Sequence, residues 1–187
     1  MWNYTEKTLD YFRNPRNMGK LENPDGTATV GSLACGDALQ FQFRLGPDGR
    51  IAEARFQTFG CASAIASSSA LTEMVVGKTL EEAKKITNKD IADFLGGLPP
   101  QKMHCSVMGR EALEAAIRNY ETGENADRNL EDEKLCSCYG VSENEVRRVI
   151  VENQLTTVEE VTNFTKAGGG CGRCRPKIEA ILKEING

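Results

Sequence analysis

The 187-residue sequence predicts an α+β fold: a three-stranded antiparallel sheet packed with helices, followed by a small all-α domain. Three observations point there. Residues 27–59 carry strand patterning broken by turn signals. From Ala62 onward the apolar spacing turns helical and helix-capping boxes recur. The cysteines of the last fifty-two residues come as two close pairs around a stretch with only helical signals.

Residues 5–13 predict a short helix with Leu9 and Phe12 on one face, stopped at Asn14-Pro15. Asn23-Pro24-Asp25-Gly26 is turn chemistry. Thr27–Cys35 is β-branched and small. Leu39, Phe41, Phe43 and Leu45 alternate with Gln40, Gln42 and Arg44, the pattern of a half-buried strand. Gly46-Pro47-Asp48-Gly49 turns the chain, and Ile51–Phe59 returns with Ala52, Ala54 and Phe56 on one face. Ala62–Val76 is an Ala/Ser-rich helix able to pack closely on the sheet. Thr79-Leu80-Glu81-Glu82 opens a short helix to Ile86, 90–95 supplies another turn or two, and Ser106 caps a longer helix to Tyr120. Ser142-Glu143-Asn144-Glu145 and Thr157-Val158-Glu159-Glu160 open helices near 142–153 and 157–165. A last helix spans 174–185, with Ile178, Ile181, Leu182 and Ile185 on one side.

The expected domains are residues 1–122 and 135–187, joined by an acidic linker at 123–134. Residues 121–135 hold six acidic against two basic side chains and so carry the whole net charge of −4, while both flanks balance to zero. That distribution argues against a nucleic-acid surface. No apolar stretch is long enough to span a bilayer, and Met1-Trp2-Asn3-Tyr4 opens no signal-peptide core, which predicts a cytoplasmic protein away from membranes. Seven cysteines in a reducing compartment read as metal ligands or reactive thiols.

Cys136-Ser137-Cys138 and Cys171-Gly172-Arg173-Cys174 are C-x-C and C-x-x-C pairs, 32 residues apart. Paired thiolates on tight turns chelate a soft metal, and the glycines around the second pair let backbone approach it. Structural zinc is the plain alternative. Cofactor binding on 135–187 would also supply folding free energy that so small a core lacks.

The other cysteines lie at element boundaries. Cys35-Gly36-Asp37 ends the first strand, Gly60-Cys61 stands where the third strand gives way to a helix, and His104-Cys105 precedes a helix cap. A helix N-terminus favours a thiolate. Cys35, Asp37, Cys61, His104 and Cys105 together make a mixed S/N/O metal site. Asp37, a harder ligand than a fourth thiolate, implies a site that releases its metal readily. Whether Asp37 or His104 is the non-thiolate ligand stays open. Singly, each thiol also reads as a buried inert cysteine. A Cys105–His104 nucleophile lacks a third orienting group, so no enzyme activity is expected; Cys105 is instead a candidate to accept sulfur as a persulfide.

Together these motifs resemble the NifU family of iron–sulfur cluster scaffolds, over nearly the whole chain. The first domain is similar to the IscU-type scaffold, of IscU/SufE-like fold, in Ala34-Cys35-Gly36-Asp37, in Gly60-Cys61-Ala62-Ser63-Ala64-Ile65-Ala66-Ser67-Ser68-Ser69 and in Leu98-Pro99-Pro100-Gln101-Lys102-Met103-His104-Cys105-Ser106. Trp2-Asn3-Tyr4 and Asn14-Pro15-Arg16-Asn17 also fit. The second domain resembles bacterioferritin-associated ferredoxin (BFD) and the central module of NifU.

The resemblance implies a labile [2Fe–2S] or [4Fe–4S] cluster, or zinc, on Cys35, Cys61 and Cys105 with Asp37 or His104. It implies a permanent [2Fe–2S] cluster on Cys136, Cys138, Cys171 and Cys174. Sulfur would come from a pyridoxal phosphate-bearing cysteine desulfurase, reaching Cys105 as persulfide. Clusters would pass to nitrogenase or other apoproteins from a homodimer, linking the chain to nitrogen fixation. Longer family members continue into a third, Nfu-type domain with its own C-x-x-C, which is expected to be absent here. Scaffolds of this type carry Leu-Pro-Pro-Val-Lys for chaperone recognition; Leu98–Lys102 matches except that Gln101 replaces Val. The alternative is a [2Fe–2S] electron-transfer protein with a zinc-stabilised docking domain.

Overall fold

A computed structural model describes residues 3–32, 37–124 and 134–187; Cys35 and most of the expected linker 123–134 lie outside the described residues. Contacts divide the chain into two units, Met1–Pro99 with Cys105–Arg128, and Pro100–His104 with Asn129–Gly187.

The first unit is built on a meander, β1 (Gly26–Ser32), β2 (Asp37–Leu45) and β3 (Ile51–Phe59), antiparallel in the order β1-β2-β3. Leu39, Phe41 and Phe43 are fully buried, as their alternation predicts. On β3 the apolar face differs from the expected one. The register jumps where Arg44 pairs with Glu53 and Leu45 with Ile51, leaving Ala52 unmatched. A bulge of one residue turns the strand over. Ile51 is thereby fully buried and Ala52 exposed, while Ala54 and Phe56 stay inside.

Helices cover this sheet. Thr5 caps α1 (Glu6–Arg13) by accepting from the Thr8 N–H. Its buried residues are Thr8 and Tyr11, whereas Phe12 is exposed. Tyr11 wins the inward position because its hydroxyl finds a partner in Glu73 and its ring meets Phe94 edge-on. The Ala/Ser-rich helix α2 (Ala62–Val75) packs on α1 and β3; its small side chains permit that close approach. Capping boxes on Thr79 and Thr87 open α3 (Leu80–Ala83) and α4 (Asn88–Phe94).

A 3-10 turn at Pro100–Lys102 runs straight into α5 (Met103–Thr122). This helix begins three residues before its expected cap, so His104 and Cys105 lie in its first turn. Leu71, Leu113 and Ile117 join the sheet phenylalanines in one core.

In the second unit a short hairpin, β4 (Lys134–Cys136) with β5 (Val141–Ser142), precedes three helices. The helical expectation omitted it because each strand is only two or three residues long. Ser142 caps α6 (Glu143–Asn153), a Thr157 capping box opens α7 (Val158–Thr165), and α8 (Arg175–Asn186) has Pro176 in its first turn. Val146, Ile150, Val161, Ile178 and Leu182 form its buried interior. No helix among the described residues is long and apolar enough to cross a membrane.

Candidate metal centres

In the first unit, the N-termini of α2 and α5 bring two distant cysteines together. Cys61 is the N-cap residue of α2 and makes no side-chain capping bond. Cys105 is the third residue of α5. Their sulfurs lie 3.6 Å apart, with Cys61 half-buried and Cys105 only 1% exposed. Both sit where helix dipoles and unshared backbone N–H groups favour negative charge.

Asp37, the first residue of β2, reaches the same place. Its buried carboxylate accepts the Cys61 N–H through Oδ1 at 3.3 Å. Gly60 permits this approach: a Cβ there would stand 2.8 Å from Asp37 Oδ1 and 3.0 Å from the Ala64 Cβ. The ligand atoms of Asp37, His104 and Cys105 all lie within 4.8 Å of one another. Four of the five expected ligands, drawn from sequence positions 37, 61, 104 and 105, thus meet; the fifth, Cys35, lies outside the described residues. The set offers two thiols, a carboxylate and an imidazole, a donor mix suited to iron or zinc.

In the second unit, Cys136, Cys138, Cys171 and Cys174 line a single cavity of about 200 Å³. Cys136 and Cys174 are buried, Cys138 is half-buried and Cys171 is exposed. Thiols of the two motifs pair crosswise. Cys138 acts on the titration of Cys171, and Cys136 on that of Cys174. Arg173 holds the Cys171 thiol down at about 7, chiefly by side-chain hydrogen bonding, with its backbone N–H and Cys138 adding. The Arg173 Nε–H points at Cys171 Sγ, 3.3 Å away. Burial, reinforced by Cys136, pushes the Cys174 thiol up.

Gly170 lies against this site. A Cβ there would stand 3.0 Å from both Cβ and Sγ of Cys138. Four thiols around a cavity kept open by a missing side chain fit a small [2Fe–2S] cluster, which takes four thiolates.

Two site residues were not anticipated from the sequence. Arg173 sits within the C-x-x-C motif, where a cation between thiolates is itself the signal. Lys177 joins the cavity wall three residues after Cys174, one helical turn on.

Comparisons with known proteins match both parts of the chain. Residues 3–127 match the model of the NifU-like N terminal domain, and residues 135–184 that of the BFD-like [2Fe-2S] binding domain. The nitrogen fixation protein NifU of Trichormus azollae is 56% identical over 194 residues; the match covers 99% of this chain and 65% of that protein, so the chain spans less than two thirds of its relative. The iron-sulfur cluster assembly scaffold protein IscU 1 of Archaeoglobus fulgidus is 54% identical over 117 residues, covering 63% of this chain and 76% of that one. A solved structure of a putative iron-sulfur cluster assembly scaffold for the SUF system, from Fervidobacterium islandicum AW-1, superposes with a TM-score of 0.52 at 26% identity. It covers 61% of this chain and 96% of the other. The meander-and-helix unit with its converging thiols and the four-thiol unit behind it place the chain in the NifU-like N-terminal domain family, with a BFD-like [2Fe-2S] binding domain following.

Proposed function

We propose that this chain is a scaffold on which iron–sulfur clusters are assembled and from which they are passed to apoproteins. The observation that carries the reading is the meeting of Asp37, Cys61, His104 and Cys105 at two helix N-termini. Iron and sulfide are substrates here, gathered and handed on without turnover. Two thiols, completed by Cys35, bind soft iron; the carboxylate or imidazole makes the fourth bond weaker and the cargo transferable. Sulfur arrives from a cysteine desulfurase as persulfide on the Cys61–Cys105 pair. Cys105 is the proposed acceptor, and half-buried Cys61 is the outward-facing thiol beside it.

The working organisation is an assembly domain at 1–122, an acidic linker at 123–134 and a cluster domain at 135–187. In the last, Cys136, Cys138, Cys171 and Cys174 hold a resident [2Fe–2S] cluster, which when bound supplies one-electron redox chemistry. Gly170 leaves space beside Cys138, and Arg173 stabilises the thiolate of Cys171. A homodimeric, cytoplasmic protein that feeds nitrogenase or other clients, and that a chaperone contacts at Leu98–Lys102, completes the proposal.

Anaerobic reconstitution with iron and sulfide tests it on Cys61→Ala and Cys136→Ala variants. A persistent visible chromophore should be lost only in Cys136→Ala. A second cluster that moves to an added apo-ferredoxin should be lost only in Cys61→Ala. A first unit that never takes up iron and sulfide overturns the reading.

A further inference from the structure

We propose that Cys61 and Cys105 act as a dithiol that reduces delivered sulfane sulfur to sulfide within the scaffold itself. The inference rests on the assembly reading above for the arrival of sulfur, and goes beyond it in naming where two electrons come from. A persulfide carries sulfur at the oxidation level of S⁰, whereas a cluster contains sulfide.

The geometry supplies the reductant. The two sulfurs stand 3.6 Å apart, so a persulfide on either one faces the other thiol at contact distance. Cys61 is the N-cap residue of α2, and its side chain makes no capping bond there. Each sulfur lies at the N-terminal end of a helix of 14 or 20 residues, which favours the attacking thiolate.

The step balances without a further reagent. With the persulfide on Cys105, the Cys61 thiolate attacks the inner sulfur, Cys105 Sγ. A Cys61–Cys105 S–S bond forms, the bond from Cys105 Sγ to the outer sulfur breaks, and that sulfur leaves with its electron pair as HS⁻. The sulfane sulfur is reduced by two electrons and the two thiols are oxidised to a disulfide. A persulfide on Cys61 reacts with Cys105 in the mirror-image way. Attack on the outer sulfur would merely pass the sulfane atom across. The disulfide must be reduced again by an external low-molecular-weight thiol before the pair can hold metal.

The test uses the full chain, reduced, stripped of metal with a chelator and desalted anaerobically. One equivalent of inorganic polysulfide is added, residual polysulfide and the sulfide expelled on loading are removed by rapid anaerobic desalting, sulfide released thereafter is trapped with a bimane, and the alkylated protein is mapped by non-reducing peptide mass spectrometry. The expected result is about one HS⁻ per chain with a matching Cys61–Cys105 disulfide. In Cys61→Ser and Cys105→Ser the persulfide should persist at least tenfold longer on the remaining thiol.

Sulfide release undiminished in both variants, a disulfide to any other cysteine, or a persulfide stable in the unaltered protein overturns the inference. So does failure of either thiol to take up sulfur. The disulfide map is read on the unaltered chain, so a misfolded variant does not decide the matter. If sulfide is released as described but no cluster ever assembles on the first unit, the scaffold reading fails while the dithiol chemistry stands.

Discussion

Arg173 is the residue whose effect is easiest to isolate. Its guanidinium donates to Cys171 Sγ at 3.3 Å, and it is the main cause of that thiol's depressed pKa of about 7. In cluster-free protein, alkylation of Cys171 should therefore reach half its limiting rate near pH 7. Arg173→Ala should move that midpoint up towards the ordinary 9.0. Mass-resolved iodoacetamide rates from pH 6 to 10 would show it, and an unmoved midpoint would refute the assignment. Tyr11 shows the opposite shift. Burial first, and then its hydrogen bond to Glu73, push the phenol from 10.0 to about 12. A raised acid pKa means the stabilisation is complete below pH 10 and is lost as pH rises through about 12. Tyr11→Phe should cost about 1 kcal/mol at neutral pH by urea titration, and the cost should vanish above the phenol's pKa. The Arg173–Cys171 pair leaves a trace in the sequence, a cation inside C-x-x-C, whereas the Tyr11–Glu73 pair leaves none. The cysteine spacings announced the four thiols of the second unit, because ligands on tight turns are local. Glu73 is 62 positions from Tyr11 and comes near it only through the packing of α1 on α2.

Elements were legible where a local rule governs them and illegible where a neighbour does. The capping boxes at Thr79 and Thr157 place the starts of their helices within a residue, since the N-cap oxygen and the N3 carboxylate act inside one turn; the first helix ends at Ala83, short of the expected Ile86. The facing of β3 depends instead on its partner. Alternation alone puts Ala52 inward, but the bulge between Arg44 and Leu45 reverses the strand there and buries Ile51. Ile51→Ala should thus cost about 2–5 kcal/mol, as deletion of buried methyl groups does. Ala52→Ser should stay within about 0.5 kcal/mol. Equilibrium denaturation of the two variants separates the registers; equal costs would contradict the bulge. The early start of α5 has a similar origin. Ser106 is a good cap in isolation, yet the 3-10 turn at Pro100–Lys102 already sets the backbone for helix, so the first turn forms around His104 and Cys105. That is what brings both close to Asp37.

At the scale of the molecule, the two units have unequal means of staying folded. The first has a sheet with Leu39, Phe41, Phe43, Ile51 and Phe56 fully buried beneath helices. Large side chains like these contribute about 1.5–3 kcal/mol each on burial. The second has short helices, a minimal hairpin and an interior of Val146, Ile150, Val161, Ile178 and Leu182. Units of this size commonly depend on a metal or cofactor. A ligand that binds only the folded form adds RT ln(1 + [L]/Kd), about 4.1 kcal/mol at a thousandfold excess over Kd. The four thiols are drawn from the chain before β5 and from the turn preceding α8, so a cluster shared by them would tie the start of the unit to its last helix. Chelating the iron should therefore strip hydrogen-exchange protection from α6, α7 and α8 while leaving β2 and β3 protected. Exchange read peptide by peptide, before and after chelation, makes the comparison within one sample. Protection retained in α8 after complete iron loss would mean that its apolar face suffices alone. Equal loss in β2 would mean that the cluster stabilises the first unit as well, which nothing in that unit's own core requires.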